Sequence, residues 1–391
     1  MKNDDQVKKA HVWENMSTVW AGVGEKRRRG LRILPKNTGY FVHVTSRTVG
    51  QAFMFGDEEK RVFVRMMRQW AGFSGLSVIT YCLMDNHFHV MLWVPGAVDL
   101  DHAELRTTLE GIWPEEKVLA WDAFYQKQRS EVKEEMDAVV VARMGNLPEF
   151  MRVLKQSFTC WYNRKHGRKG TLWEARYRSV VVEGNPLALM SVAAYIDLNP
   201  LRAGLVDDPM AYAWSGYGAS MEGDSTAREG LEVLVRLARG HQPQVALNLR
   251  RKQVSQSSEH WRDIGKTMAQ EQMQRALPRN WQEVQAAYRI WLVNKGASKA
   301  DVLQVKEKFR QRKGFDPVQV IAEYEKQGVV PLHERLEGRM QTFSRGVAVG
   351  SADYLESMMN EFRSCFGCKR KSAAKKVKGF SSLWMSLREV D

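Results

Sequence analysis

Residues 81–94 read YCLMDNHFHVMLWV, and this stretch decides the fold. Two apolar runs flank a central Asp-Asn pair that favours a turn, so the stretch predicts the two strands of a β-hairpin. Residues two apart in a strand point to one face, which places His87 and His89 together and Phe88 on the opposite face. Two neutral imidazoles side by side can bind a divalent cation. Such a pair also arises on half-buried strands as a purely structural feature, so the pattern needs partners elsewhere.

The best partner segment lies well downstream. Small and apolar residues run from Pro186 to Pro200, which predicts one helix with Asn185 as its N-cap, Pro186 at its first position and Pro200 as its end. Tyr195 and Asn199 are four residues apart and therefore share a face of that helix. A tyrosine hydroxyl can attack phosphorus in a covalent transfer, and an amide oxygen can be the third ligand of Mg²⁺ or Mn²⁺. A core tyrosine and a C-capping asparagine are the alternative interpretation.

Together the two segments resemble motifs of the IS200-like tyrosine transposases. The His-Phe-His tripeptide follows Met-Asp-Asn, and Tyr195 opens the decapeptide YIDLNPLRAG, which is similar to the second motif of the branch associated with repetitive extragenic palindromes (REP). Two shorter blocks also resemble this branch, residues 43–47 (HVTSR) and residues 170–177 (GTLWEARY). The resemblance covers residues 38–214 and implies a single HUH nuclease domain.

This resemblance implies cleavage and strand transfer on single-stranded DNA that folds into hairpins. Tyr195 would attack the scissile phosphate and form a 5′-phosphotyrosine, which a 3′-hydroxyl can later attack without ATP. His87, His89 and Asn199 would hold a divalent metal, Mg²⁺ or Mn²⁺, that polarises the phosphate. The protein would act as a monomer or a homodimer.

Cationic side chains near these motifs are candidates for DNA contacts. Residues 161–170 (WYNRKHGRKG) interleave aromatic and cationic side chains, a composition suited to stacking on bases and pairing with phosphates. Cations that offset the dipole at a helix C-terminus are the alternative. Arg47 resembles a family position, and either Arg47 or Arg202 could assist the tyrosine. The predicted DNA-binding set is Arg47, Arg164, Lys165, Arg168, Arg176 and Arg202.

The pattern around these motifs predicts an α+β fold. Alternating hydrophobicity predicts strands, and helical periodicity predicts helices between them. The predicted strands are 41–45, 77–84, 87–94 and 177–183, and the predicted helices are 57–73 and 147–166. Their order, β-α-β-β-α-β, is that of a ferredoxin-like or RRM-like antiparallel sheet with helices on one face. A charged, helix-favouring insertion occupies residues 96–146.

The rest of the chain divides by composition. The predicted segments are a basic N-terminal arm (1–37), a Gly-rich linker (215–230), a helical C-terminal region (231–366) and a basic tail (367–391). Helices are predicted within the third segment at 281–295, 299–311 and 317–326. This helical region is interpreted either as a DNA-binding module or as a packing domain that supports the nuclease.

Composition and charge agree with a polyanion partner. The 391 residues carry a formal charge of +14, a balance also found in ribosomal and RNA-binding proteins. Neither a signal peptide nor a membrane span is expected, and a cytoplasmic location follows. Cys365 and Cys368 form a single Cys-x-x-Cys motif, which is too few ligands for a zinc knuckle and predicts free thiols.

Two other functions compete with the tyrosine nuclease. One is a catalytically inactive nucleic-acid-binding protein on the same RRM-like fold, in which the histidines are structural and Tyr195 belongs to the core. The other is a phosphohydrolase without a covalent intermediate, for which Asp85 and Asp197 would have to supply an acidic ligand cluster. Spacing alone does not decide whether Glu174 and Asp197 are structural or catalytic.

Overall fold

The computed structural model describes residues 34–35, 39–96, 98, 100–239, 241, 278, 280–296, 346–363, 374–377 and 383–387. Within these residues the chain forms seven strands and eleven α-helices. The strands are β1 (Tyr40–Arg47), β2 (Ser77–Leu83), β3 (His87–Val94), β4 (Arg178–Val182), β5 (Gly346–Gly350), β6 (Ala374–Lys376) and β7 (Trp384–Leu387). The helices are α1 (Asp57–Ser74), α2 (His102–Glu110), α3 (Glu115–Tyr125), α4 (Ser130–Val141), α5 (Leu147–Lys165), α6 (Pro186–Asp197), α7 (Asn199–Ala203), α8 (Gly216–Met221), α9 (Ser225–Ala238), α10 (Trp281–Gly296) and α11 (Ala352–Glu361).

All seven strands belong to one sheet, in the order β2-β3-β1-β4-β5-β7-β6. Every pairing is antiparallel except the parallel pairing of β4 with β5. The chain order β1-α1-β2-β3-α5-β4, with β1 between β3 and β4, is the ferredoxin-like arrangement. The predicted α+β class and the predicted strand order are therefore confirmed.

One face of the sheet packs on α1 and α5 through aromatic side chains. The ring of Phe88 in β3 lies 4.8 Å from that of Phe63 in α1, measured between centroids. Phe63 in turn lies 5.1 Å from Phe158 of α5, and Trp173 lies 5.6 Å from Phe88. These tilted and edge-to-face contacts bury large apolar surfaces, which fixes both helices against the strands.

The opposite face packs on α6, which α9 and α10 cover from outside. Helix α6 is buried around its whole circumference, from Ala188 to Asp197. A helix that is apolar on all sides must be buried on all sides, so the sheet alone cannot cover it. The prediction of helices on one face is therefore corrected, since helices cover both faces.

The local sequence sets both ends of α6. The side chain of Asn185 accepts a hydrogen bond from the backbone N–H of Ala188 (2.8 Å), and Pro186 takes the first helical position, as predicted. The helix ends before Leu198 rather than at Pro200. A new helix, α7, then begins, and Pro200 lies in its first turn, where its missing N–H has no partner to lose.

The insertion after β3 forms α2, α3 and α4, in agreement with its helix-favouring sequence. His102 at the start of α2 lies between two carboxylates, 3.1 Å from Asp122 of α3 and 3.2 Å from Asp137 of α4. Its ring stacks on Tyr125 with centroids 3.4 Å apart. One histidine thus joins the three helices of the insertion.

Residues 215–230, predicted to be a linker, instead form α8 and the start of α9. The glycines there allow close packing on β2. A Cβ on Gly216 would lie 2.3 Å from the hydroxyl of Thr80, and a Cβ on Gly230 would lie 2.2 Å from the carbonyl oxygen of Ile79. Glycine in this segment therefore reflects helix–strand contact rather than flexibility.

The C-terminal region is only partly helical. Helix α10 matches the predicted helix at 281–295, but residues 346–350 form β5, which pairs with β4 through Val181 with Ala348 and Val182 with Val349. The predicted basic tail contributes β6 and β7 to the same sheet. A parallel partner so distant in sequence leaves no local signal, which explains why β5 escapes sequence analysis.

Several predictions lie outside the described residues. They are the Lys/Arg-rich part of the arm, the helices at 299–311 and 317–326, and the Cys-x-x-Cys motif. Among the described residues, no helix combines the length and apolarity that a membrane span requires.

Candidate active site

His87 and His89 lie on one face of β3, with ring centroids 5.1 Å apart. Phe88 between them points to the opposite face and is fully buried in the aromatic core. Strand alternation alone produces this separation. Because β3 pairs with β1 on one side and β2 on the other, the two imidazoles are held on an interior strand of the sheet.

A third histidine, His43 of β1, shares this face, although sequence analysis gives it no role. Its Nε2 lies 3.0 Å from Nδ1 of His89, and the side chains are 1% and 4% exposed. The sequence does contain one signal, the period-two alternation of His43, Thr45 and Arg47. Whether His43 lies beside His89 depends on the strand register, which pairs Thr45 with His89 and Arg47 with His87. This register cannot be predicted from the sequence.

Helix α6 brings Tyr195 to these imidazoles. The phenol ring meets the rings of His89 and His43 edge to face, with centroids 5.5 and 5.8 Å away. Tyr195 is only 8% exposed because α6 crosses the sheet beneath α9 and α10. The two separate sequence segments therefore meet in one cluster, which we call the histidine–tyrosine cluster: His43, His87, His89 and Tyr195.

Asn199 and Arg202 hold the C-terminal end of α6. The Asn199 Nδ2 donates to the carbonyl oxygens of Tyr195 (2.8 Å) and Ile196 (3.2 Å), which is the capping role that the sequence left open. Its Oδ1 is the atom that would remain for a cation. The guanidinium of Arg202 lies 6.0 Å from the centroid of the Tyr195 ring and places positive charge beside the phenol.

Burial keeps the two strand imidazoles neutral. Burial and, to a smaller extent, the positive charge of Arg47 together lower the pKa of His87 to about 4, against the opposing effect of Asp85. Burial also lowers the pKa of His89 well below its ordinary value, with contributions from His43, His87 and Arg47. A neutral imidazole is the form that binds a metal ion.

The two strand histidines offer nitrogen donors of a kind that divalent cations accept. The Asn86 Oδ1 lies 2.6 Å from Nδ1 of His87, and since an amide oxygen only accepts, the proton sits on Nδ1 and the Nε2 lone pair is left for a ligand. No three His, Cys, Asp or Glu side chains in the described ranges are grouped to hold a metal. A third donor would have to be of another kind, and an amide oxygen such as that of Asn199 is a ligand type that Mg²⁺ and Mn²⁺ accept.

The predicted DNA-binding cations occupy different environments. Arg47 is exposed beside His87, and Arg202 lies beside Tyr195. Lys165 at the end of α5 forms ion pairs with Glu58 (2.5 Å) and Glu59 (2.7 Å) on α1, so its charge is already compensated. Of the remaining three, Arg164 and Arg176 are exposed and Arg168 is half-buried.

The acidic residues do not form a shared ligand cluster. Asp85 pairs with Lys60 at 2.6 Å. Asp197 is fully buried and accepts hydrogen bonds from the hydroxyls of Thr80 (2.9 Å) and Tyr288 (2.5 Å). Glu174 is exposed, and its backbone N–H donates to the carbonyl oxygen of Arg47 (3.0 Å). Within the described residues, the acidic set needed by a phosphohydrolase is therefore missing.

Comparisons with known proteins give one result of note. No family model matches the chain, and no curated protein matches it significantly. The solved structures include a REP-associated tyrosine transposase bound to a REP hairpin, which is 10% identical and similar over 51% of this chain and 87% of that one, with a TM-score of 0.28. Similarity this low assigns no function, which has to come from the residues of the site.

Proposed function

We propose that this chain is a metal-dependent endonuclease and strand transferase for single-stranded, hairpin-forming DNA, a REP-associated member of the IS200-like tyrosine transposases. The observation that carries the proposal is the position of the Tyr195 ring, whose edge meets the buried imidazoles of His89 and His43. A phenol beside a pair of imidazoles that can hold a metal ion, here His87 and His89, is a combination suited to covalent phosphoryl transfer.

The chain's own residues would share the chemistry as follows. The Tyr195 oxygen attacks phosphorus, the bond from phosphorus to the 3′-oxygen breaks, and the phenolic proton passes through water to that leaving oxygen. The products are a 5′-phosphotyrosine and a free 3′-hydroxyl. A divalent cation on His87, His89 and Asn199 would stabilise the charge that develops on the phosphate. The positive charge of Arg202 would stabilise the Tyr195 oxygen as this oxygen loses its proton.

A covalent-adduct assay tests this proposal. The full-length protein is incubated with hairpin-bearing single strands and Mg²⁺ or Mn²⁺, with the label at either the 3′ or the 5′ end. We expect the 3′-labelled fragment to migrate with the protein on a denaturing gel and the 5′-labelled fragment to be released, because the tyrosine bonds to the 5′-phosphate. Tyr195→Phe and His87→Ala should each abolish the adduct.

Tyr81→Phe is a matched control for the loss of a hydroxyl. Tyr81 lies on the other face of the sheet, where its hydroxyl is 3.4 Å from Arg68, so this variant should retain the adduct. An adduct that survives Tyr195→Phe would refute the mechanism.

Binding without chemistry is the second candidate function. The low exposure of Tyr195 and the capping hydrogen bonds of Asn199 favour it, since both are expected of structural residues. Retained hairpin binding with no adduct for any hairpin or metal would support this candidate.

A further inference from the structure

His43 and His89 form a buried pair in which only one proton fits between two nitrogens. The Nε2 of His43 and Nδ1 of His89 are 3.0 Å apart, and both side chains are almost completely buried. Burial disfavours the charged form of both rings, so one neutral imidazole must donate and the other must accept. Two arrangements satisfy this rule.

The two arrangements have opposite consequences for His89. If His89 donates from Nδ1, its Nε2 carries a lone pair and can bind a cation. If His43 donates from Nε2, His89 accepts at Nδ1 and carries its proton on Nε2, which blocks that nitrogen. The partner of His89 therefore decides whether His89 can be a ligand at all.

His87 on the same strand supplies the comparison. Its Nδ1 is held by the Asn86 amide oxygen at 2.6 Å, which can only accept, so the Nε2 of His87 carries the lone pair. A cation bound by both histidines needs the same tautomer at His89. Metal-binding histidines generally donate their second ring N–H to an acceptor, and the mutation of that acceptor weakens metal binding.

We propose that His43 is a positioning residue for the metal site: its Nε2 accepts the Nδ1 proton of His89 and so keeps the Nε2 of His89 available to a divalent cation. The direction of the hydrogen bond rests on the proposed function, because the need for a cation ligand selects one of the two arrangements, but it can be measured independently of that function. His43 also contacts the ring of Tyr195, at 5.8 Å between centroids, so one residue orients both the ligand and the nucleophile.

The tautomer of His89 is measurable without metal or DNA. Long-range ¹H–¹⁵N spectra of the full-length, ¹⁵N-histidine-labelled protein distinguish a proton on Nδ1 from one on Nε2, and His89→Gln identifies the signal. We expect Nδ1 to be protonated in the wild type. In His43→Phe, which fills the space without an acceptor, the Nε2-protonated form should grow and Mn²⁺ affinity should fall about 10- to 100-fold by calorimetry.

His43→Gln is the matched variant, because its amide oxygen can accept the same proton. It should keep the wild-type tautomer and most of the Mn²⁺ affinity, which a loss of packing alone would not predict. A proton on Nε2 of His89 in the wild type would overturn the proposal, even if His43→Phe does not fold. Unchanged tautomer and Mn²⁺ affinity in a folded His43→Phe would also overturn it.

These outcomes are separable from a failure of the nuclease proposal. A wild-type protein with His89 protonated on Nδ1 that binds no Mn²⁺ and forms no adduct would refute the nuclease and still support the hydrogen bond. An active nuclease with His89 protonated on Nε2 would do the reverse.

Discussion

At the scale of single residues, Asp197 is the most unusual ionisable group near the site. Its carboxylate is fully buried between α6, β2 and α10 and accepts hydrogen bonds from Thr80, Tyr288 and the backbone N–H of Tyr217. Burial raises the pKa of Asp197 to about 7, although the three donors pull it downward. The carboxyl group therefore holds a proton in the folded chain that it loses in the unfolded one.

This shift makes folding depend on pH. In the unfolded chain an aspartate has a pKa of about 3.9. Between that pH and about pH 7 the folded state therefore binds one more proton than the unfolded state does. The free energy of unfolding falls as the pH rises through this window. We expect the unfolding free energy to drop by on the order of a few kcal/mol between about pH 5 and about pH 8. Urea unfolding should show a smaller drop in Asp197→Asn, and equal slopes for the two proteins would contradict the assignment.

Sequence analysis identified those members of the histidine–tyrosine cluster that a local pattern or motif marks. His87 and His89 follow from strand alternation, and Tyr195 from its motif. His43 could not be found this way, because what places it in the cluster is a hydrogen bond to His89, a residue 46 positions away. Lys165 was chosen for its charge, yet two glutamates on α1 neutralise it, and no local pattern reveals such a long-range pair.

At the scale of elements, the connection between β1 and α1 is tightly held beside the histidines. The backbone N–H groups of Met54 and Phe55 both donate to the carbonyl oxygen of Asp85, and Asn86 donates to the carbonyl oxygen of Gln51. Gln51 itself adopts a left-handed backbone with φ of 55°. A residue without glycine's freedom is strained there, and such strain is often found at functional sites.

This rigid connection carries Phe53, which is 83% exposed. We expect Phe53 to stack on a base of bound single-stranded DNA, since stacking contributes about 1–3 kcal/mol per base. Phe53→Ala should weaken hairpin-DNA binding by that amount in a fluorescence-anisotropy titration, while Phe53→Trp should not. Leu119→Ala, which removes another exposed apolar side chain, on the insertion, is the control, and an equal loss there would contradict a specific contact.

The glycines of α8 and α9 were misread as a linker because composition does not separate flexibility from close approach. Gly230 and Gly72 test the distinction. A Cβ on Gly230 would meet the carbonyl oxygen of Ile79 at 2.2 Å, whereas nothing lies within 4 Å of a Cβ on Gly72 in α1. Thermal unfolding should show Gly230→Ala destabilised by about 1–3 kcal/mol. Gly72→Ala should be stabilised by up to about 1 kcal/mol, and similar effects at both positions would refute this interpretation.

At the scale of the whole molecule, the sequence predicts the four strands of the ferredoxin-like core and misses the other three. The core strands alternate in hydrophobicity and follow each other through short connections or helices, so their order can be inferred. Strand β5 joins this core as a parallel neighbour of β4, and the pairing of Val181 with Ala348 crosses more than a hundred residues. Hydrophobic pattern constrains which residues are buried, but not which distant strand covers them.

The outermost strands of the sheet have a consequence for solubility. A strand at the border of a sheet leaves backbone N–H and carbonyl groups open, and another copy can add to it and start aggregation. Here one border is β6, a strand of three residues with exposed Lys375 and Lys376. At the other border, the N–H of Leu83 in β2 donates to the carbonyl oxygen of Trp214. A short strand with two lysines and a strand whose end is already hydrogen-bonded both disfavour pairing with another copy, and the added strands keep β4 from being an open border of the sheet.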